Sequence, residues 1–164
     1  MQRLLALLSL ILCAACGFHP LYGGVSGTVR RLELSQIAVT PIESRLGTNL
    51  RNELIDRLTP AGEPAYPQYR LDIALHELRE GLGIQPDASV TRWNYQLTAD
   101  YQLFDLGTGK VIAKGQANSI AAYSVVDSPY ATLSAEQDAE RRTAIDLGQE
   151  LELRLALFFE QRNH

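Results

Sequence analysis

From Arg92 to Leu103 the chain alternates without a break. Trp93, Tyr95, Leu97, Ala99, Tyr101 and Leu103 take the odd positions, and Arg92, Asn94, Gln96, Thr98, Asp100 and Gln102 take the even ones. A period of two belongs to a strand with one buried and one wet face. Upstream, Tyr69, Leu71, Ile73 and Leu75 predict another strand of the same kind, with Arg70, Asp72 and His76 on its polar side. Downstream, DLGTGK (residues 105–110) has the glycine spacing of a tight hairpin, and VIAKGQANSIAAYSVV returns from it, so these last two strands should pair antiparallel. Nearer the start, Leu32 and Leu34 are followed out of phase by Ile37 and Val39, which predicts a strand with a bulge near Ser35 and Gln36. Gly81 and Gly83 in EGLGIQ read as turn residues.

Two stretches follow the other period. Leu46, Leu50, Leu54 and Leu58 recur every four residues with Ile55 beside them, Ser44 as N-cap, and Pro60 with Gly62 as the stop. From Ser134, which with Gln137 makes a capping box, Ala144, Leu147, Leu151, Leu155 and Phe158 form one stripe to the end of the chain. Arg142 with Asp146, and Glu150 with Arg154, are spaced as outward i,i+4 ion pairs. Between the first helix and the second strand, TPAGEPAYPQ (residues 59–68) holds three of the seven prolines and is expected to be irregular.

The order is therefore β-α-β-β-β-α. Two helices can cover only one face of a four-stranded sheet, so the expected fold is an α+β two-layer sandwich with both helices on one face. The other face would carry Arg92, Asn94, Gln96, Asp100 and Gln102, a polarity suited to water or to a hydrated partner surface.

Composition adds limits. A chain of 164 residues that is 46% hydrophobic and 21% charged has the profile of one globular domain rather than of a disordered one. Its net charge of −4 gives it no unspecific attraction to nucleic acid or anionic lipid, so no nucleic-acid partner is expected and any bound polyanion needs a local basic site.

The first residues are of another kind. Leu4 to Leu12 form an apolar run behind Arg3, about half the length a membrane-spanning helix needs, and Ala14 and Ala15 follow as small residues. This is the pattern of a secretory signal. Two alanines directly before Cys16 resemble the lipobox of bacterial lipoproteins, although Cys13 stands where the usual leucine would be. The resemblance implies that residues 1–15 are removed and that Cys16 becomes a lipidated first residue. Gly17 after it, rather than an aspartate, implies passage to the outer membrane. Residues 16–29 would be a tether rich in Gly, Ser and Thr, and 30–164 a single domain. More than one acyl chain anchors a protein stably, so the domain would be held at the bilayer surface.

Catalytic chemistry finds little support. His19, His76 and His164 are scattered and no cysteine pair would survive cleavage, so no metal site is expected. GVSG (residues 24–27) lacks the spacing of a nucleophile elbow and lies in the linker, while EGLGIQ lacks the Lys-Ser/Thr of a phosphate loop. Glu77 and Glu80 are a carboxylate pair with no apolar pocket evident to shift them. The residues read as a tethered domain without catalytic residues and without a cofactor beyond the covalent lipid on Cys16.

Three segments together resemble the LPS-assembly lipoprotein family, LptE. CGFHPLYG is similar to its mature start, SVTRWNYQLTADYQL to its third strand, and SPYATLSAEQDAERRTAIDLGQELELRLALFF to its final strand-to-helix passage. The resemblance runs from Cys16 to about Phe159 and looks alphaproteobacterial in type. It implies an outer-membrane lipoprotein on the periplasmic side that plugs the β-barrel LptD, helps it assemble, and assists lipopolysaccharide insertion into the outer leaflet. It also implies a lipopolysaccharide contact at Arg92, in the S-V-x-R segment, with Lys110 or Lys114 helping to meet lipid A phosphates. The family's second basic position, just before E-Q-D, is taken here by Ser134 and Ala135. An auxiliary lipoprotein of an envelope ABC-type lipid transporter is the alternative reading, and an envelope hydrolase a third.

Overall fold

The alternating segments pair as one sheet, with the two helices laid across a single face. The computed structural model describes residues 31–84 and 90–162. Its elements are β1 (Ile37–Val39), α1 (Arg45–Leu58), β2 (Tyr69–Ile84), β3 (Val90–Asp105), β4 (Lys110–Ser124) and α2 (Pro129–Arg162). The sheet order is β1-β2-β3-β4. β1 runs parallel to β2 across α1, while β2, β3 and β4 form an antiparallel meander in which Asp72, Gln102 and Lys114 share one cross-strand row and Leu82, Arg92 and Ser124 share another. The expected α+β two-layer sandwich is the observed architecture.

The core lies between sheet and helices. The odd residues of β3 point into it, and Tyr95, Leu97, Ala99 and Leu103 have no exposed surface. Against them sit Leu50 and Leu54 of α1 and Leu147, Leu151 and Phe159 of α2, all equally buried. Phe159 meets Tyr69 of β2 with ring centroids 5.0 Å apart. α1 begins as expected, with Ser44 Oγ accepting the Gly47 N–H, and ends where the Gly62 N–H donates to Thr59 O. The two helices pack tightly at Gly148, where a Cβ would stand 2.8 Å from Glu53 Cγ.

Several sequence expectations change. Residues 31–34 are helical and 35–36 form a turn, so the expected bulged strand shrinks to β1. The Ser35 N–H donates to Arg31 O and its hydroxyl to Leu32 O. The interval of three between Leu34 and Ile37 is thus a helical turn that returns the chain to the core, with Leu34 buried and Leu32 exposed. Gly81 and Gly83 lie within β2, where Gly81 pairs opposite Trp93, and the β2–β3 connection falls in residues 85–89, outside the described residues.

α2 starts five residues before Ser134. Pro129 occupies its first position, where a missing N–H costs nothing, and Ser128 Oγ accepts the Ala131 N–H at 3.4 Å. Ser134 is therefore an exposed helix-interior residue rather than a cap. Arg142 pairs backwards with Asp138 at 2.8 Å instead of with Asp146, whereas Glu150 and Arg154 pair as expected at 2.6 Å. Phe159 takes the fully buried place expected of Phe158, which is half-buried. No described helix is long and apolar enough to cross a membrane.

Candidate functional site: the uncovered sheet face

No described helix covers the even-numbered side of the sheet, and its register lays polar side chains in rows. Ala74, Asp100 and Gln116 form one row, His76, Thr98 and Asn118 the next, then Leu78, Gln96 and Ile120, and then Glu80, Asn94 and Ala122. Asp100 is the acceptor at the centre, 3.2 Å from His76 Nε2 and 2.9 Å from Gln116 Nε2. Arg70 donates to Asp72 at 3.0 Å and lies over the Phe104 ring with its guanidinium carbon 4.4 Å from the centroid. The face thus mixes amides and hydroxyls with charged residues, among them the Arg70–Asp72 pair and, at its two ends, Arg92 and Lys114. Such a surface can exchange hydrogen bonds with another hydrated surface, directly or through water.

Three aliphatic residues break the polar phase towards the Arg92 end. Leu78 and Ile120, 56% and 52% exposed, flank Gln96 on this face, and Leu82 lies further along beside Arg92. The period itself marks them, since each is aliphatic where its strand alternation calls for a polar residue, and sequence reasoning passed over them.

The three basic residues singled out from the sequence do not form one cluster. Arg92 is exposed at the β2–β3 end of the face. Lys114 is opposite Gln102, ten residue steps along β3 or roughly 34 Å away. Lys110 pairs with Asp105, whose carboxylate meets Arg162 of α2 at 3.8 Å, and so belongs to the helix side. Cys16 and His19 lie outside the described residues, as do residues 1–30 and His164.

On the covered side, a polar network that the sequence pattern did not announce joins sheet to helices. Buried Glu140 of α2 meets Arg45 of α1 at 2.5 Å and Arg79 of β2 at 3.5 Å, and Arg79 also meets Glu136 at 2.7 Å. The Arg79 guanidinium carbon lies 5.6 Å from the centroid of the Tyr95 ring, and the Tyr95 hydroxyl donates to Glu77 at 2.7 Å. Burial first, and then the Glu77 carboxylate, push the Tyr95 phenol well above its usual range. Beside the network a cleft of about 330 Å³ is lined by Arg45, Asn49, Ser134, Gln137, Asp138 and Arg141, among others. The hydrogen bonds from Arg141 and Arg142 hold the Asp138 carboxyl below the usual carboxylate range, so this group is a paired anion rather than a proton carrier. Among the described residues no three His, Cys, Asp or Glu side chains converge as metal ligands.

A sheet with both described helices on one face and polar side chains on the other defines a two-layer α+β domain. The chain belongs to the LptE family, described as lipopolysaccharide-assembly, whose model matches residues 34–155. Among solved structures, a Caulobacter crescentus chain described as a lipoprotein is similar at 27% identity and TM-score 0.68, over 80% of this chain and 96% of that one. The minor lipoprotein of Acinetobacter baumannii, 17% identical, and the rare lipoprotein B of Shewanella oneidensis, 13% identical, share the fold at TM-scores of 0.61 each. The former alignment spans 75% of this chain and 92% of the other, the latter 78% and 97%. No curated protein matches.

Proposed function

We propose that this chain is the lipid-anchored partner of the outer-membrane barrel LptD, seated in its lumen as a plug, where it supports barrel assembly and lipopolysaccharide insertion without catalysing a reaction. The observation that carries the reading is the uncovered sheet face. Its rows of Asn, Gln, Thr and Ser side chains suit the polar, hydrated interior of an outer-membrane barrel. In this reading residues 1–15 are the signal, Cys16 carries the lipid that holds the protein on the periplasmic side of the outer membrane, 16–29 are the tether, and 30–164 are the plug domain.

Arg92 is the proposed contact for lipid A phosphates. It is exposed, opposite Leu82, with Leu78 and Ile120 two rows away, so a cation and aliphatic side chains share one end of the face. A phosphorylated acyl lipid presents the same two chemistries.

Affinity purification of the acylated protein from detergent-solubilised envelopes tests the main reading. Recovery of a large outer-membrane barrel in about equal amount is expected. Recovery of periplasmic proteins alone, or of inner-membrane transporter components, would overturn it.

A further inference from the structure

The molecule is long, and its two ends differ. Strands β2 and β3 each run 16 residues, about 50 Å. At one end, hydrogen bonds tie three segments together: the Gln68 N–H donates to Gln36 O, the Leu106 N–H to Gln68 O, and Lys110 pairs with Asp105 across the β3–β4 turn. The described chain begins at this end, since residues 31–36 lead directly into β1. Whatever holds the N-terminal segment therefore holds this pole first.

The same pole presents apolar side chains to solvent beside lysines. Tyr66, set between Pro64 and Pro67, is 90% exposed, and Leu32 is 62% exposed. Leu106 stands in the turn and Val111 in the strand after it, both more than two-fifths exposed. Lys110 and Lys114 flank them, and a shallow groove of about 430 Å³ runs between Val111 and Lys114. Aromatic and aliphatic side chains mixed with lysines are what seats a surface at the boundary between headgroups and acyl chains, the cations meeting anionic headgroups while the rings lie just beneath.

We infer that, before the barrel encloses the domain, this pole, through Tyr66, Leu106 and Val111 with Lys110 and Lys114, rests on the phospholipid leaflet to which the chain is anchored. The inference builds on the proposed lipidation of Cys16. Residues 17–30 span at most about 50 Å when fully stretched, roughly the length of the sheet. The near pole reaches the leaflet with a slack tether, whereas the far pole, with Arg92, reaches it only with a taut one. The contact fixes the domain's long axis across the leaflet, with the Arg92 pole pointing away from the anchoring surface.

Trp93, the only tryptophan, sits at the Arg92 pole, opposite Gly81 and Tyr123. That makes it a native reference in the test. The acylated full chain is reconstituted into vesicles of phosphatidylethanolamine and phosphatidylglycerol containing brominated phospholipid, and tryptophan emission is compared with that in unbrominated vesicles. A Leu106→Trp variant in a Trp93→Phe background is expected to lose about half its emission, as an interfacial ring would, while Trp93 of the unaltered chain keeps its own. Adding Lys110→Glu and Lys114→Glu to the probe variant should relieve the quenching. A floated, folded probe variant that is not quenched, or Trp93 quenched as strongly, overturns the inference and leaves the anchor standing. A chain that does not float with the vesicles overturns the anchor and the contact together.

Discussion

Tyr95 has no exposed surface, yet its hydroxyl reaches the edge of the core and donates to Glu77 at 2.7 Å. The folded state keeps this phenol protonated beyond its ordinary range, because burial and the neighbouring carboxylate both penalise the phenolate. The unfolded chain ionises at the ordinary value of about 10. The stabilisation from a raised folded pKa is thus fully present below about pH 10 and is lost as the pH rises above it. Tyr95→Phe keeps the ring packing and removes the hydroxyl. It should lower stability by about 1 kcal/mol at neutral pH, and the gap to the unaltered protein should close at strongly alkaline pH. Denaturant midpoints at neutral pH and above pH 10 read this, and a gap that stays constant would mean that the fold does not keep this phenol protonated beyond its ordinary range. Tyr95 was legible in the sequence as a core residue, from the period of two. Its partner was not, because Glu77 becomes its neighbour only through the β2–β3 register.

The first half of α2 is held by charge rather than by apolar packing. Before Glu140, Ala139 is its only buried residue, and Tyr130 and Leu133 face solvent. Glu140 fastens this segment to α1 through Arg45 and, with Glu136, to β2 through Arg79. Hydrogen bonds to charged groups contribute about 1.5–3 kcal/mol where burial shields them, less where one partner is exposed as Arg45 is. Glu140→Gln should raise amide exchange across residues 129–142 by about tenfold and leave Leu147 to Phe159 protected. Uniform acceleration along α2 would show instead that the helix opens as one unit. The same physics explains which elements could be read beforehand. α1 was legible at both ends because Ser44, its leucine spacing and Gly62 are local signals. The start of α2 was not, because Ser134 and Gln137 imitate a capping box, while the true start at Ser128 and Pro129 is followed by residues with no core-facing stripe. The stretch 31–39 misled because a helical turn and a bulge both shift the apolar phase, and only the Ser35 bonds to Arg31 and Leu32 separate them.

Across the whole molecule, the sequence reveals which residues share a face but not how far apart they stand on it. Arg92 and Lys114 are both even-numbered, polar-phase residues, and alternation alone puts them together. The register puts roughly 34 Å between them, at opposite ends of the sheet. A lipid A headgroup held at one point cannot use both. If the phosphates are met at the Arg92 pole, where Leu78, Leu82 and Ile120 add aliphatic surface, Arg92→Glu should weaken lipopolysaccharide binding to the purified chain about tenfold, the loss of one charge-assisted contact. Lys114→Glu should leave that affinity unchanged. Raising the salt should weaken the unaltered chain and bring it towards the Arg92→Glu variant, because an exposed arginine acts through a screened attraction. Equal losses from both substitutions would mean that the lipid lies along the full length of the face. A loss confined to Lys114→Glu would move the contact to the pole nearest the anchor, and the axis of the domain would then have to be reversed.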